Sequence, residues 1–150
     1  MELDKYTKQS KLGVFHVNSW DTLITKELLN EVLNQAKTNG TNKARLCLNP
    51  TEIESLQFAY LAFSRPYKDK IHSHPKNLNI HLPILGEANY HVFSNEGKLI
   101  KTHLLTSKNP YPIVTPKGVW NATEIISKHF VKLEISPGKF EKNSTIFLNK

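Results

Sequence analysis

His72-Ser73-His74 places two imidazoles at positions i and i+2 of the chain. On a β-strand, side chains two residues apart share a face, so both rings would look into the same space. Two adjacent nitrogen donors can hold a divalent metal, or one can act as a base near neutral pH. A metal site also needs a third and often a fourth protein ligand. His81 is a candidate: it lies two residues beyond Asn79 and so shares that residue's strand face, about 7 Å further along. A set of His72, His74 and His81, with water in the open positions, is one reading. Taken alone, a His-x-His pair fits two solvent-facing histidines more readily.

Other residues could border such a pocket. Lys76 follows the histidine pair and could hold a phosphate or carboxylate, or simply be a solvated lysine. Tyr67 and Arg45 could line the pocket as substrate-binding groups, although Arg45 could equally pair with a surface acid. Cys47 reads as a core filler, and no Ser-centred elbow or Gly-rich phosphate loop is present. Trp120 reads as a core residue beside a Pro-x-Gly turn. His16, His91, His103 and His129 lack diagnostic spacing and read as surface or edge residues.

The elements that must position these groups are legible from periodicity. Leu28, Leu29, Val32, Leu33 and Ala36 follow helical spacing, so a helix is expected over residues 26–37, with Thr25 as N-cap and Gly40 as the stop. After Gly40 the pattern shifts to short strands: 44–48, 56–63, 70–74, 79–85, 88–93, 98–105, 113–115, 120–126 and 130–135. Asn49-Pro50, Ser94-Asn95-Glu96-Gly97, Pro116-Lys117-Gly118 and Ser136-Pro137-Gly138 supply turns. Many short strands with Gly/Pro turns predict a β-sandwich or barrel with the helix packed outside. Residues 141–150 are expected to trail as a tail or pair with an edge.

The chain has 150 residues, a hydrophobic fraction of 39% and one cysteine. That suits one domain, with a helical segment near 21–40 and a barrel near 44–140. No apolar run reaches the ~18 residues of a membrane span. The charged N-terminus and lone cysteine point to a cytoplasmic protein without membrane attachment. The net charge of +7 is spread over scattered lysines with only two arginines. This lacks the clustered basic footprint of nucleic-acid binding, so a nucleic-acid partner is not expected.

Two separated groups then stand out together: His72-x-His74 with Asn79 and Gly86, and Pro116-x-Gly118-Val119-Trp120-Asn121. They resemble the two motifs of the cupin superfamily. In that superfamily the motifs supply His-x-His, a Glu and a further His to one divalent metal inside a small barrel. Further stretches sharpen the resemblance. Arg45-Leu46-Cys47-Leu48-Asn49-Pro50, Gln57, His74-Pro75-Lys76, Asn95-Glu96-Gly97 and Leu133-Glu134-Ile135-x-Pro137-Gly138 are similar to the small WbuC-type cupins, in order, from about Leu23 to Phe140. The resemblance implies an all-β cupin, a double-stranded β-helix or jelly-roll barrel, with an N-terminal α-helix. It also implies a link to lipopolysaccharide, O-antigen or other surface-polysaccharide biosynthesis.

The departures concern the metal. The family pattern has Glu where this chain has Asn79 and the closing His where it has Asn121. Members often also have His where this chain has Asn49. The implied metal set is therefore His72, His74, Asn79 and Asn121, the last two matching only in position. A neutral amide is a poorer transition-metal ligand than carboxylate or imidazole. The expectation is a weakened divalent-metal site or none.

Two functions stay open on these grounds. One is an isomerase- or epimerase-like enzyme on a carbohydrate or nucleotide sugar, with His72 or His74 as the catalytic base. The other is a non-catalytic cupin that binds a carbohydrate or anion, or scaffolds a biosynthetic enzyme. Cupins commonly pair through strand edges, which implies a homodimer.

Overall fold

The computed structural model describes residues 2–139, 141 and 143–149. The chain begins with a short helix, α1 (Glu2–Tyr6), and two strands, β1 (Thr7–Lys11) and β2 (Val14–Val17). The long helix α2 (Lys26–Thr38) follows. Eleven strands complete the described chain: β3 (Lys43–Cys47), β4 (Leu56–Phe63), β5 (Tyr67–Lys68), β6 (His72–Ser73), β7 (Asn79–Leu85), β8 (Glu87–Phe93), β9 (Leu99–Thr106), β10 (Ile113–Thr115), β11 (Trp120–Ile125), β12 (Phe130–Pro137) and β13 (Ile146–Phe147). The expected strands from 44 onward are all present, with ends shifted by at most two residues. α1, β1 and β2 had no periodic signal strong enough to announce them.

The strands form two sheets, in the orders β1-β2-β3-β4-β12-β7-β10 and β13-β6-β11-β8-β9, with β5 added on β11. Nearly all pairings are antiparallel, and β2 with β3 is parallel. The two sheets face each other and enclose the barrel interior. This is the all-β cupin architecture with an N-terminal helix. None of the described helices is long and apolar enough to cross a membrane.

Helix α2 starts where the Thr25 side chain accepts a hydrogen bond from the Leu28 amide at 3.2 Å, as an N-cap should. Leu28, Val32, Leu33 and Ala36 form its buried stripe. That stripe packs on Ala44 and Leu46 of β3, Ala62 of β4 and Val131 of β12, together with Leu3, Phe15 and Val17. A helix therefore covers the outer face of the first sheet. By strand alternation, the residues between those apolar positions must face the interior: Lys43 and Arg45 on β3, Leu61 and Phe63 on β4, Lys132 and Glu134 on β12. Both faces of this sheet are thus covered.

At one end the interior is apolar, filled by Phe63, Ala88, Tyr90, Leu105, Ile125 and Phe130. The Tyr90 hydroxyl is hydrogen-bonded to Thr115 there, and burial pushes the phenol up to about 12, against the lowering effect of the Thr115 bond. The β7–β8 corner depends on Gly86, which has φ +78°. A Cβ at that position would lie 2.1 Å from the His129 carbonyl oxygen, so only glycine fits.

Candidate functional site

The other end of the interior is polar and hollow. A cavity of about 610 Å³ opens there, within the size range of small-molecule sites. His72, His74 and His81 all line it, as do Asn121, Lys132 and Glu134. Cross-strand register explains the assembly, because directly paired residues share a face. Asn121 of β11 is opposite His72 of β6. His81 of β7 is opposite Glu134 of β12, and Lys132 is opposite Leu61, which is in turn opposite Arg45.

The histidine pair is set by local hydrogen bonds. The rings of His72 and His74 meet edge to face, with centroids 5.2 Å apart. His72 Nδ1 is 2.8 Å from the Lys70 carbonyl oxygen. A carbonyl only accepts, so Nδ1 carries a proton, and in the neutral ring the lone pair is on Nε2. His74 Nδ1 pairs with the Thr145 hydroxyl at 3.2 Å. The His74 carbonyl accepts from the Gly118 amide at 3.0 Å, which ties the Pro116-Lys117-Gly118 turn to the histidine strand. Burial, helped by the neighbouring His72, lowers the pKa of His74 below its usual 6.5, so this ring is neutral at pH 7.

The centre of the site is a cluster that includes Lys132, which no motif contains, and Glu134, which the resemblance quotes without a site role. Lys132 is buried, and its ammonium lies 3.0 Å from His81 Nδ1 and 3.1 Å from Glu134 Oε2. His81 Nδ1 is also 3.4 Å from Glu134 Oε2. One imidazole nitrogen cannot accept from Lys132 and donate to Glu134 at once. The ammonium has donors for both, so a neutral His81 accepts at Nδ1 and Lys132 bridges the pair. Burial and the Lys132 charge both lower the His81 pKa, in keeping with this neutral form. Burial alone would raise the Glu134 pKa, but the Lys132 ammonium, with Arg45 beside it, outweighs this and holds the carboxyl well below the usual range. Arg45 approaches the other oxygen of Glu134 at 3.9 Å.

The structure sorts the remaining candidates. Tyr67 lines the cavity and stacks on Phe63 at 6.1 Å between centroids. Lys43 Nζ sits 3.5 Å from the Tyr67 ring centroid, a cation–π contact. Arg45 lines the cavity too, and its acid partner is the interior Glu134, not a surface group. Lys76 lies in an adjoining outer cleft, where it pairs with Glu141 at 2.9 Å. Asn79 is buried and borders that outer cleft beside His74. Asn121 does reach the main cavity, but its amide donates to the carbonyls of Val119 at 3.0 Å and His72 at 3.4 Å.

Two expectations are corrected. His16 is not a surface residue: it is buried, with Nδ1 3.0 Å from the Asn49 carbonyl oxygen. Trp120 is half-buried and belongs to neither apolar core cluster. Cys47 is buried as expected, and burial raises its thiol pKa, away from nucleophile chemistry.

The donor set can be tested against the divalent metal that the motifs imply. Among the described residues, no three His, Cys, Asp or Glu side chains are placed to hold one ion. His81 Nδ1 and Glu134 Oε2, the donors nearest the centre, are both held by the Lys132 ammonium. Asn121 and Asn79 bring no charge. This donor set does not fit a resident divalent ion.

Barrel, helix and polar cavity together define the cupin fold, and comparison with solved structures agrees. The chain resembles the capsular polysaccharide assembling protein CapF from Staphylococcus aureus, at 14% identity and a TM-score of 0.61, over 72% of this chain and 32% of that one. It resembles an oxalate oxidase in complex with glycolate at 14% identity and a TM-score of 0.53, over 71% of this chain and 55% of that one. It also resembles oxalate decarboxylase from Bacillus subtilis at 15% identity and a TM-score of 0.56, over 71% of this chain and 27% of that one. The Bacillus subtilis decarboxylase is described as having Mn(II) centres. The chain spans between about a quarter and about half the length of these neighbours. No family model and no curated protein matches the chain.

Proposed function

We propose that this chain is a cupin of surface-polysaccharide biosynthesis, of the WbuC type, whose cavity takes a carbohydrate or nucleotide sugar without a resident metal. The observation that carries the reading is the buried Lys132–His81–Glu134 cluster at the centre of an open polar cavity. A lysine ammonium holds His81 Nδ1 and Glu134 Oε2, and Asn121, Thr123 and the two half-buried histidines offer hydrogen bonds of the kind sugar hydroxyls use. The resemblance to the polysaccharide-assembly protein CapF supports the pathway. Titration of the purified protein with a panel of nucleotide sugars, followed on the histidine ring resonances by NMR, tests it. Saturable shifts of His72 and His81 are expected, and a flat response to the whole panel rejects the reading.

A second reading adds catalysis. His72 has its Nδ1 proton fixed on the Lys70 carbonyl, which leaves Nε2 as a base for a carbon acid next to a sugar carbonyl. Incorporation of deuterium into a bound keto-sugar in D2O, lost in His72→Gln, is its signature. Binding without exchange leaves the non-catalytic module.

The proposed homodimer would form along β9, the free edge of its sheet, where Leu99, Ile100 and Leu104 are exposed. Light scattering after size exclusion should then return twice the 17.2 kDa chain mass.

A further inference from the structure

We propose that Lys132 is the ligand-selecting group of this cavity: a fixed internal cation that binds an anionic oxygen, a sugar carboxylate above all, in place of a metal. The inference rests on the carbohydrate reading and adds the charge of the sugar to it. Lys132 carries three N–H donors. Among the described residues two are matched, to His81 Nδ1 and Glu134 Oε2, and the third has no acceptor. Lys132 nevertheless lines the cavity, so a ligand oxygen placed there completes its hydrogen bonding.

The charge balance agrees. Arg45 and Lys132 straddle the single carboxylate of Glu134, and His81 between them is neutral. The cluster therefore carries one net positive charge inside a cavity walled by protein, where an opposite charge is held more strongly than in water. Glu134 does not repel an incoming anion, because both its oxygens already face cations. It fixes the Lys132 side chain, which would otherwise be free to move, and so makes it a preorganised donor. Among the lysines of the cavity Lys43 is engaged with Tyr67 and Lys70 is exposed, so the buried Lys132 is the one set deepest.

The test compares glucuronate with glucose, two sugars that differ in one carboxylate, with inorganic phosphate as a probe that needs no sugar recognition. Dissociation constants are read from the His72 and His81 ring resonances in the wild type and in Lys132→Met/Glu134→Gln, which removes both charges together. The wild type should prefer glucuronate by about tenfold or more, the worth of one charge-assisted hydrogen bond. The double variant keeps one net positive charge through Arg45 but loses the directed ammonium donor, so its preference for glucuronate should fall about tenfold, and Lys132→Arg should keep the preference. A preference undiminished in the double variant overturns the role of Lys132 and leaves the carbohydrate reading standing. Wild-type binding of phosphate but of neither sugar, lost in the double variant, keeps Lys132 and overturns the carbohydrate reading. No binding of any probe overturns both. If the double variant does not fold, Lys132→Gln is read in the same way.

Discussion

The two ends of the barrel interior are built from the same strands yet solve opposite problems. At the apolar end, Phe63, Tyr90, Ile125 and Phe130 fill the space between the sheets. At the polar end the same strands, β4, β11 and β12, present Leu61, Asn121, Thr123, Lys132 and Glu134 around a cavity. One strand, β12, spans both: Phe130 belongs to the dry half and, two and four residues on, Lys132 and Glu134 belong to the wet half. Stability should therefore be concentrated in the first half and selectivity in the second. Substitutions along β12 can separate the two.

The largest stability loss is expected at the dry end. Phe130 is fully buried, and Phe130→Ala should cost about 3–5 kcal/mol of unfolding free energy while leaving ligand preference intact. Chemical denaturation with a parallel binding titration checks both halves of that statement. A change in preference from Phe130→Ala alone would mean that the two ends are not independent.

Lys132→Ala comes next, at about 2–4 kcal/mol, because it strands the Glu134 carboxylate. The value sits low in the range for buried pairs because the Glu134 side chain is 21% exposed and partly solvated. Lys132→Met/Glu134→Gln should be close to wild type in stability, since replacing both members of a buried pair avoids the stranded charge. A double variant as unstable as Lys132→Ala would show that the pair holds the fold together and is not kept for binding.

The same cluster sets a pH dependence. Glu134 is ionised in the fold well below its usual 4.5, and His74 and His81 are neutral below their usual 6.5. In each case the unfolded chain takes up its proton first as pH falls. Stability from the histidines is therefore fully present above about pH 6.5 and that from Glu134 above about pH 4.5, each fading as pH falls through the lowered folded value. The melting temperature should drop steadily from pH 7 to pH 4. In Lys132→Met/Glu134→Gln the lower part of that drop should flatten. A wild-type melting temperature independent of pH over this span would contradict the assignment of charges.

How much of this was legible in the chain depends on which face of a strand was being read. Helix α2, with its Thr25 cap, and the strands from β3 onward follow from periodicity and turn residues, and the His72/His74 pair located the cavity. Lys132 and Glu134 were hidden by the same logic. In Val131-Lys132-Leu133-Glu134-Ile135 the apolar residues look like the core face and the charged ones like solvent. Helix α2 inverts this by covering the apolar face from outside, and nothing local to β12 announces a helix about 100 residues earlier in the chain. Asn79 misled in a related way. Alternation put it on the face of His81, which is correct, but a position one rung along β7 was enough to place it at the outer cleft. Only register, which needs the partner strands, distinguishes those two outcomes.

The smallest expected effect tests the wall of the wet half. β13 adds only two residues to β6, and Ile146 and Phe147 are 45% and 55% exposed. Its removal, by ending the chain after Asn143, should therefore cost about 1 kcal/mol or less. Yet Thr145 holds His74 Nδ1 and the Phe147 ring lies 6.2 Å from that of His72, so both histidines should lose cover and a partner. Modification by diethyl pyrocarbonate should speed up at His72 and His74 and stay unchanged at His16, which is buried on β2 against the Asn49 carbonyl. A truncated chain that loses several kcal/mol would make β13 part of the fold's foundation. Unchanged histidine reactivity at full stability would instead mean that the cavity is closed by other residues, and that the polar end is as self-contained as the dry one.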